Sequence, residues 1–98
     1  MTVYIIAQLK FTRRDVYDRY AAAFFAVFKK FKGTLVISDE NVDVLEGQWE
    51  RDKLVMLSFP DEASALEFHS SPEYQAIAVD RKGGADGIVL MAKGRAVV

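Results

Sequence analysis

The stretch LVMLSFPDEASALEFHSSPEYQAIAVDRKGG, Leu54 to Gly84, holds the punctuation that decides the fold. Leu54–Phe59 is a short apolar run rich in strand-forming residues, and Pro60 ends it. Asp61 then suits the cap of a helix from Glu62 to about His69. Ser71 and Pro72 repeat the signal, a capping hydroxyl followed by proline at the first helical position. This second helix is expected to end near Lys82, before Gly83 and Gly84. A strand therefore leads into a helix in two pieces.

Working outward, Thr2–Lys10 reads as a strand. Thr12 is a candidate cap, with Asp15 as its partner, for a helix whose face Tyr17, Tyr20, Phe24, Val27, Phe28 and Phe31 is apolar at helical spacing. Phe25 falls at the margin of that face. Lys29, Lys30 and Lys32 are read at the negative end of the helix dipole, with Gly33 at C′. Thr34–Ser38 and Val42–Trp49 read as strands joined by the turn Asp39–Asn41, a hairpin with Gly47 marking a bulge. Asp86-Gly87 reads as a turn before a last strand, Ile88–Ala92. The order βαββαβ is that of an α+β, ferredoxin-like domain spanning residues 1–98, an antiparallel sheet with helices on one face. That plan needs four long strands, so the two hairpin strands are read as parts of a slightly elaborated sheet.

A two-layer fold exposes one sheet face, which should be polar at alternate positions. Here both faces are apolar. Val3, Ile5 and Ala7 oppose Tyr4 and Ile6; Val55, Leu57 and Phe59 oppose Leu54 and Met56; Val89 and Met91 oppose Ile88 and Leu90. A second copy packed sheet to sheet about a two-fold axis covers such a face, so a homodimer is expected.

The segments Val44–Trp49 (VLEGQW), Leu54–Phe68 (LVMLSFPDEASALEF) and Ser71–Ile77 (SPEYQAI), with Arg81 one short helix later, resemble the domain-of-unknown-function family 1330. The departure is Lys32-Gly33-Thr34, where that family often has paired glycines. The resemblance covers nearly the whole chain and implies a dimeric α/β barrel. It implies no activity.

Composition excludes several classes. The 98 residues are 51% hydrophobic with net charge −1, and the basic residues are scattered, unlike a nucleic-acid surface. The absence of cysteine removes disulfides, Cys-based metal sites and thiol chemistry, and fits a reducing compartment. The single histidine precludes a multi-histidine metal site within one chain. Neither a metal nor another cofactor is expected. The longest apolar run, Tyr20–Phe28, is far shorter than the roughly 18 residues of a membrane span, and the N-terminus lacks a basic signal-like region. A cytoplasmic protein without nucleic-acid or membrane partners is expected.

Glu46 and His69 are the candidate bases. Glu46, read on a strand face with Val42 and Val44, needs a partner, and Arg81 or the Tyr74 hydroxyl would serve. His69, at a helix end, is either a group bonding terminal carbonyls or a general base. Trp49 would wall a pocket or cover the core or a dimer seam. Tyr74 and Arg81 lie two helical turns apart, on one face. Glu46, Trp49, Tyr74 and Arg81 are expected to converge on a small-molecule pocket between sheet and helices. Three functions stay open: a ligand-binding dimer, a cofactor-free enzyme of monooxygenase or isomerase type using Glu46 or His69, and a structural or interaction module.

Overall fold

The computed structural model describes residues 1–95; the last three residues of the expected domain, 96–98, lie outside the described residues. The elements are β1 (Val3–Phe11), α1 (Arg14–Phe28), β2 (Thr34–Asp39), β3 (Lys53–Phe59), α2 (Glu62–His69), α3 (Pro72–Gly84) and β4 (Ala85–Lys93). The sheet is antiparallel in the order β2-β3-β1-β4, the ferredoxin-like arrangement, with all three helices on one face.

The caps around α2 and α3 form as the residues dictate. Asp61 accepts from the Ser64 N–H at 2.7 Å, and Ser71 Oγ accepts from the Tyr74 N–H at 3.1 Å. The α1 start differs. Its cap position is Arg13 with no side-chain bond, because the Gly84 carbonyl accepts from Thr12 and Arg13 N–H at 2.9 and 3.0 Å. A Cβ on Gly84 would collide with the backbone of Tyr17, so this glycine is what lets α3 end against α1. At the other end of α1 the helix stops at Phe28, placing Lys30 and Lys32 beyond it. Gly33 is no left-handed cap; its Cβ would meet the rings of Phe28 at 2.6 Å and Phe59 at 2.8 Å.

Two strand expectations are corrected. Val42–Trp49 is not a strand: β2 pairs directly with β3, Leu35 opposite Leu57, and residues 40–52 form the loop between them. Alternating valines imitated a strand, yet Val44 is 47% and Leu45 93% exposed. Gly47 adopts φ +86° in this loop, where a side chain would be strained. Asp86-Gly87 is not a turn but part of β4, and a Cβ on Gly87 would meet Leu9 Cδ2 at 2.8 Å.

The core lies between the helices and the sheet. Val3, Ile5, Leu9, Leu57 and Phe59 face Tyr17, Phe28, Phe68 and Tyr74. Phe68 is its hub, with ring centroids 5.3 Å from Phe28, 5.7 Å from Phe59 and 4.5 Å from Tyr74. The opposite face carries Tyr4, Ile6, Leu54, Met56, Ile88 and Leu90, as the strand registers require. Ile88 and Leu90 are 42% and 47% exposed.

Candidate functional site

A cavity of about 200 Å³ opens between the helix-side face of the sheet and the helices. Ile5, Ala7, Leu57 and Val89 form its floor, and Phe24 and Phe68 its walls. Seven polar side chains also reach it: Tyr17 and Tyr20 from α1, Ser38 from β2, Lys53 from β3, His69 from α2, and Tyr74 and Arg81 from α3. Tyr74 and Arg81 share the buried stripe of α3 with Ala78, as their spacing predicts.

The electrostatics of this cavity are one-sided. Tyr20 and Tyr74 are both buried, with their hydroxyl oxygens 3.0 Å apart. Burial, and then the neighbouring Tyr74, push Tyr20 well above the usual phenol range, so it stays protonated. Lys53 lies 3.5 Å from Glu40 and 5.1 Å from the centroid of the Tyr17 ring, so its charge has partners. Arg81 has none. It is only 6% exposed, its Nε is buried without a hydrogen-bond partner, and among the described residues it forms no ion pair. Among the described residues, no aspartate or glutamate lines the cavity. Its guanidinium lies against β4, where Nη1 would be 3.4 Å from a Cβ on Gly87. Gly87, misread as a turn residue, thus lies beside the arginine, and the clash its Cβ would make is with Leu9.

His69 is the last residue of α2, but its imidazole does not bond the terminal carbonyls. Those carbonyls are already engaged. Ser70 Oγ donates to Leu66 O at 2.6 Å, Ser71 Oγ to Phe68 O at 2.8 Å, and Gln75 Nε2 to His69 O at 2.7 Å. The ring instead lines the cavity, its centroid 5.6 Å from that of Tyr74. Burial first, then the cations Arg81 and Lys82, hold its pKa below the ordinary histidine value, favouring the neutral ring.

The expected convergence is therefore partial. Tyr74 and Arg81 meet, joined by His69; Glu46 and Trp49 do not line this cavity. Glu46 is exposed in the β2–β3 loop and forms no ion pair with Arg81. The alternation that seemed to place it on a buried face belongs to a segment outside the sheet. Trp49 is half-buried, and its Nε1 donates to Gln8 Oε1 at 3.3 Å. Gln8 sits on the open face of β1, which puts the indole across the sheet from the cavity. Among the polar lining residues that the sequence reading missed are Tyr20 and Lys53. Both carried a signal: Tyr20 is a hydroxyl on an apolar helix face, and Lys53 falls in alternation with Val55, Leu57 and Phe59 on the core face of β3.

This sheet order, helix placement and cavity define a ferredoxin-like α+β protein with a chamber under its helices. The chain belongs to the DUF1330 family, described as a domain of unknown function, whose model matches residues 2–95. Comparison with curated proteins gives no match. Among solved structures, a protein of unknown function from Rhodopseudomonas palustris is similar with TM-score 0.80 at 16% identity, over 98% of this chain and 84% of that one. A dimeric ferredoxin-like protein of unknown function from Jannaschia sp. CCS1 gives TM-score 0.75 at 14% identity, over 96% and 100% of the two chains. SnoaB, a cofactor-independent oxygenase from Streptomyces nogalater, gives 0.71 at 10% identity, over 99% and 96%. At these identities the likeness is one of fold. Among the described residues, no helix is long and apolar enough to cross a membrane.

Proposed function

We propose that the protein is a homodimer in which each subunit holds a small organic molecule in the cavity between sheet and helices. The observation carrying this reading is the cavity itself, about 200 Å³ in a domain of this size and walled by aromatic and aliphatic groups around a few polar ones. An apolar cavity of ~150 Å³ is enough to take up benzene, so this one suits a single ring with a small substituent. The dimer accounts for the apolar open face, and proteins of this fold are described as dimeric. Trp49, bonded to Gln8 on that face, is assigned to the contact with the second copy rather than to the chamber. A cavity with an uncompensated cation argues against a purely structural module, whose core would be filled and paired.

The test is a thermal-shift and ligand-observed NMR comparison with toluene and phenol. Both should bind the natural chain and fail to bind Ala7→Leu, which fills the floor. No binding to the natural chain would remove the reading. Light scattering at micromolar concentration should give twice the 11.0 kDa chain mass.

A second reading, a cofactor-free oxygenase or isomerase, is favoured by one observation: His69 lines the cavity with its pKa lowered, ready to accept a proton at neutral pH. On this reading His69→Ala abolishes turnover of any substrate found and spares its binding. Turnover that survives the change removes His69 as the base. Glu46 is not carried forward as a base, because it is exposed away from the cavity of its own subunit.

A further inference from the structure

We infer that the molecule held in the cavity is a small organic anion, an apolar ring or branched chain bearing one carboxylate, whose charge rests on Arg81. The inference depends on the proposed ligand site and adds the chemical class of its occupant. Four observations lead to it.

First, Arg81 is a buried cation with an unused donor at Nε and no carboxylate among the cavity's lining residues. A guanidinium keeps its charge at any pH a folded protein meets, so it cannot relieve its burial by losing a proton. A buried charge without a counter-charge is costly and persists where something else supplies one. Second, the other cation at the cavity, Lys53, has Glu40 at 3.5 Å, a carboxylate shared with Arg14, which in turn also has Asp18 at 2.9 Å. The uncompensated charge is thus a single one, and it calls for a monoanion.

Third, Tyr20 and Tyr74 offer a donor. Their hydroxyls share one hydrogen across the 3.0 Å contact, which leaves the second hydrogen of the pair free to point at an acceptor. Tyr20 does not serve as the missing anion, since its burial holds it protonated. The polar end of the cavity therefore presents donors from Arg81 and the tyrosine pair. A carboxylate has acceptor capacity for both, and charge-assisted bonds of this kind are the strong ones. Fourth, most of the remaining lining residues are hydrocarbon, and Ile5, Leu57, Phe24 and Val89 among them select an apolar body behind the acid group.

The experiment compares matched acid and amide pairs, benzoate with benzamide and phenylacetate with phenylacetamide, by calorimetry and ligand-observed NMR on the full chain. The acids should bind about tenfold or more tightly than their amides, the scale of a charge-assisted hydrogen bond against a neutral one. Arg81→Met should erase that preference while toluene still binds. Amides binding as tightly as acids would overturn the inference and leave the cavity reading standing. Failure of toluene, amides and acids alike would overturn both. If Arg81→Met does not fold, the natural chain decides the matter through its only histidine. Bound benzoate, by offsetting the charge of Arg81, should raise the NMR titration midpoint of His69, and benzamide should not. An unmoved midpoint with benzoate bound would also overturn the inference.

Discussion

Along β1, Val3, Ile5 and Leu9 are buried beneath the helices, while Ile6 and Tyr4, each one residue away, keep part of their surface on the open face. The side chains on the two faces are chemically alike. What differs is what covers them, helices of the same chain on one side and, as proposed, a second copy on the other. The two faces also differ in their polar groups. On the helix side the polar atoms are gathered at a cavity around Arg81, Tyr20 and Tyr74. On the open face the Gln8–Trp49 contact is a paired one at 3.3 Å. The unpaired donor of Arg81 thus distinguishes the proposed chamber from the proposed seam, where the polar contact is a paired one.

The sharpest way to break this contrast is to damage each face separately. Phe68→Ala removes the ring that contacts Phe28, Phe59 and Tyr74, and should lower unfolding free energy by about 3–5 kcal/mol in denaturant melts. Leu90→Asp on the open face should instead split the dimer, seen as scattering mass falling to that of the 11.0 kDa chain. If Leu90→Asp leaves the mass unchanged, the open face is not the seam.

Within the helix-side chamber two substitutions should have opposite signs. Tyr20→Phe strands the buried Tyr74 hydroxyl and should cost about 1 kcal/mol. Arg81→Met replaces a buried, unpaired cation with a hydrocarbon of similar reach, and should raise the stability of the empty protein by about 1 kcal/mol. A clear loss on Arg81→Met would show that the arginine holds the fold together.

Much of this was legible in the sequence because it rests on local chemistry. Asp61, Ser71 and Pro72 fix the starts of α2 and α3 through bonds made within a few residues, and strand alternation sorts β1, β3 and β4 correctly between two faces. What was not legible depends on contacts distant in sequence. The cap of α1 is a carbonyl from Gly84, which replaces the expected side chain of Thr12. The partner of β2 is Lys53–Phe59, and only that pairing reveals residues 40–52 as a loop. Tyr74 and Arg81 could be placed together because one helix carries both; Glu46 could not, because its position depended on the misassigned strand.

The pH response should be gentler. The His69 pKa is depressed in the folded chain, by burial and then by Arg81 and Lys82. Its contribution to stability is present in full above the unfolded histidine value, about 6.5, and is lost as pH falls from there through the folded value, because the unfolded chain then binds the proton more readily. Melts from pH 7.5 down to 5.5 should show this decline, and His69→Gln should flatten it. The exposed pair Arg14–Glu40, 2.8 Å between Nη1 and Oε1, acts at lower pH, since Arg14 holds Glu40 below the usual carboxylate range. The two effects therefore separate on the pH axis. A decline across the same range that is unchanged in His69→Gln would assign the response to another group.

The smallest effect is expected at Glu46, and it tests the assignment of the loop most directly. A carboxylate buried against Arg81 would cost several kcal/mol to remove, because its loss leaves a charge uncompensated. The structure gives Glu46 an exposed place beside Leu45, itself 93% exposed, and no ion pair among the described residues. Glu46→Gln should therefore change stability by no more than about 0.5 kcal/mol, the range of ordinary surface substitutions. It should also leave benzoate affinity unchanged, since the cavity is lined without it. Gly47→Ala, one residue on, is the internal control. It meets no neighbouring atom within 4 Å, yet φ is +86°, so it should destabilise through backbone strain alone, by about 1 kcal/mol. A larger penalty at Glu46 than at Gly47 would mean that the loop folds back onto a charged partner, in its own subunit or across the seam. The division of labour between the two sheet faces would then have to be redrawn around that contact.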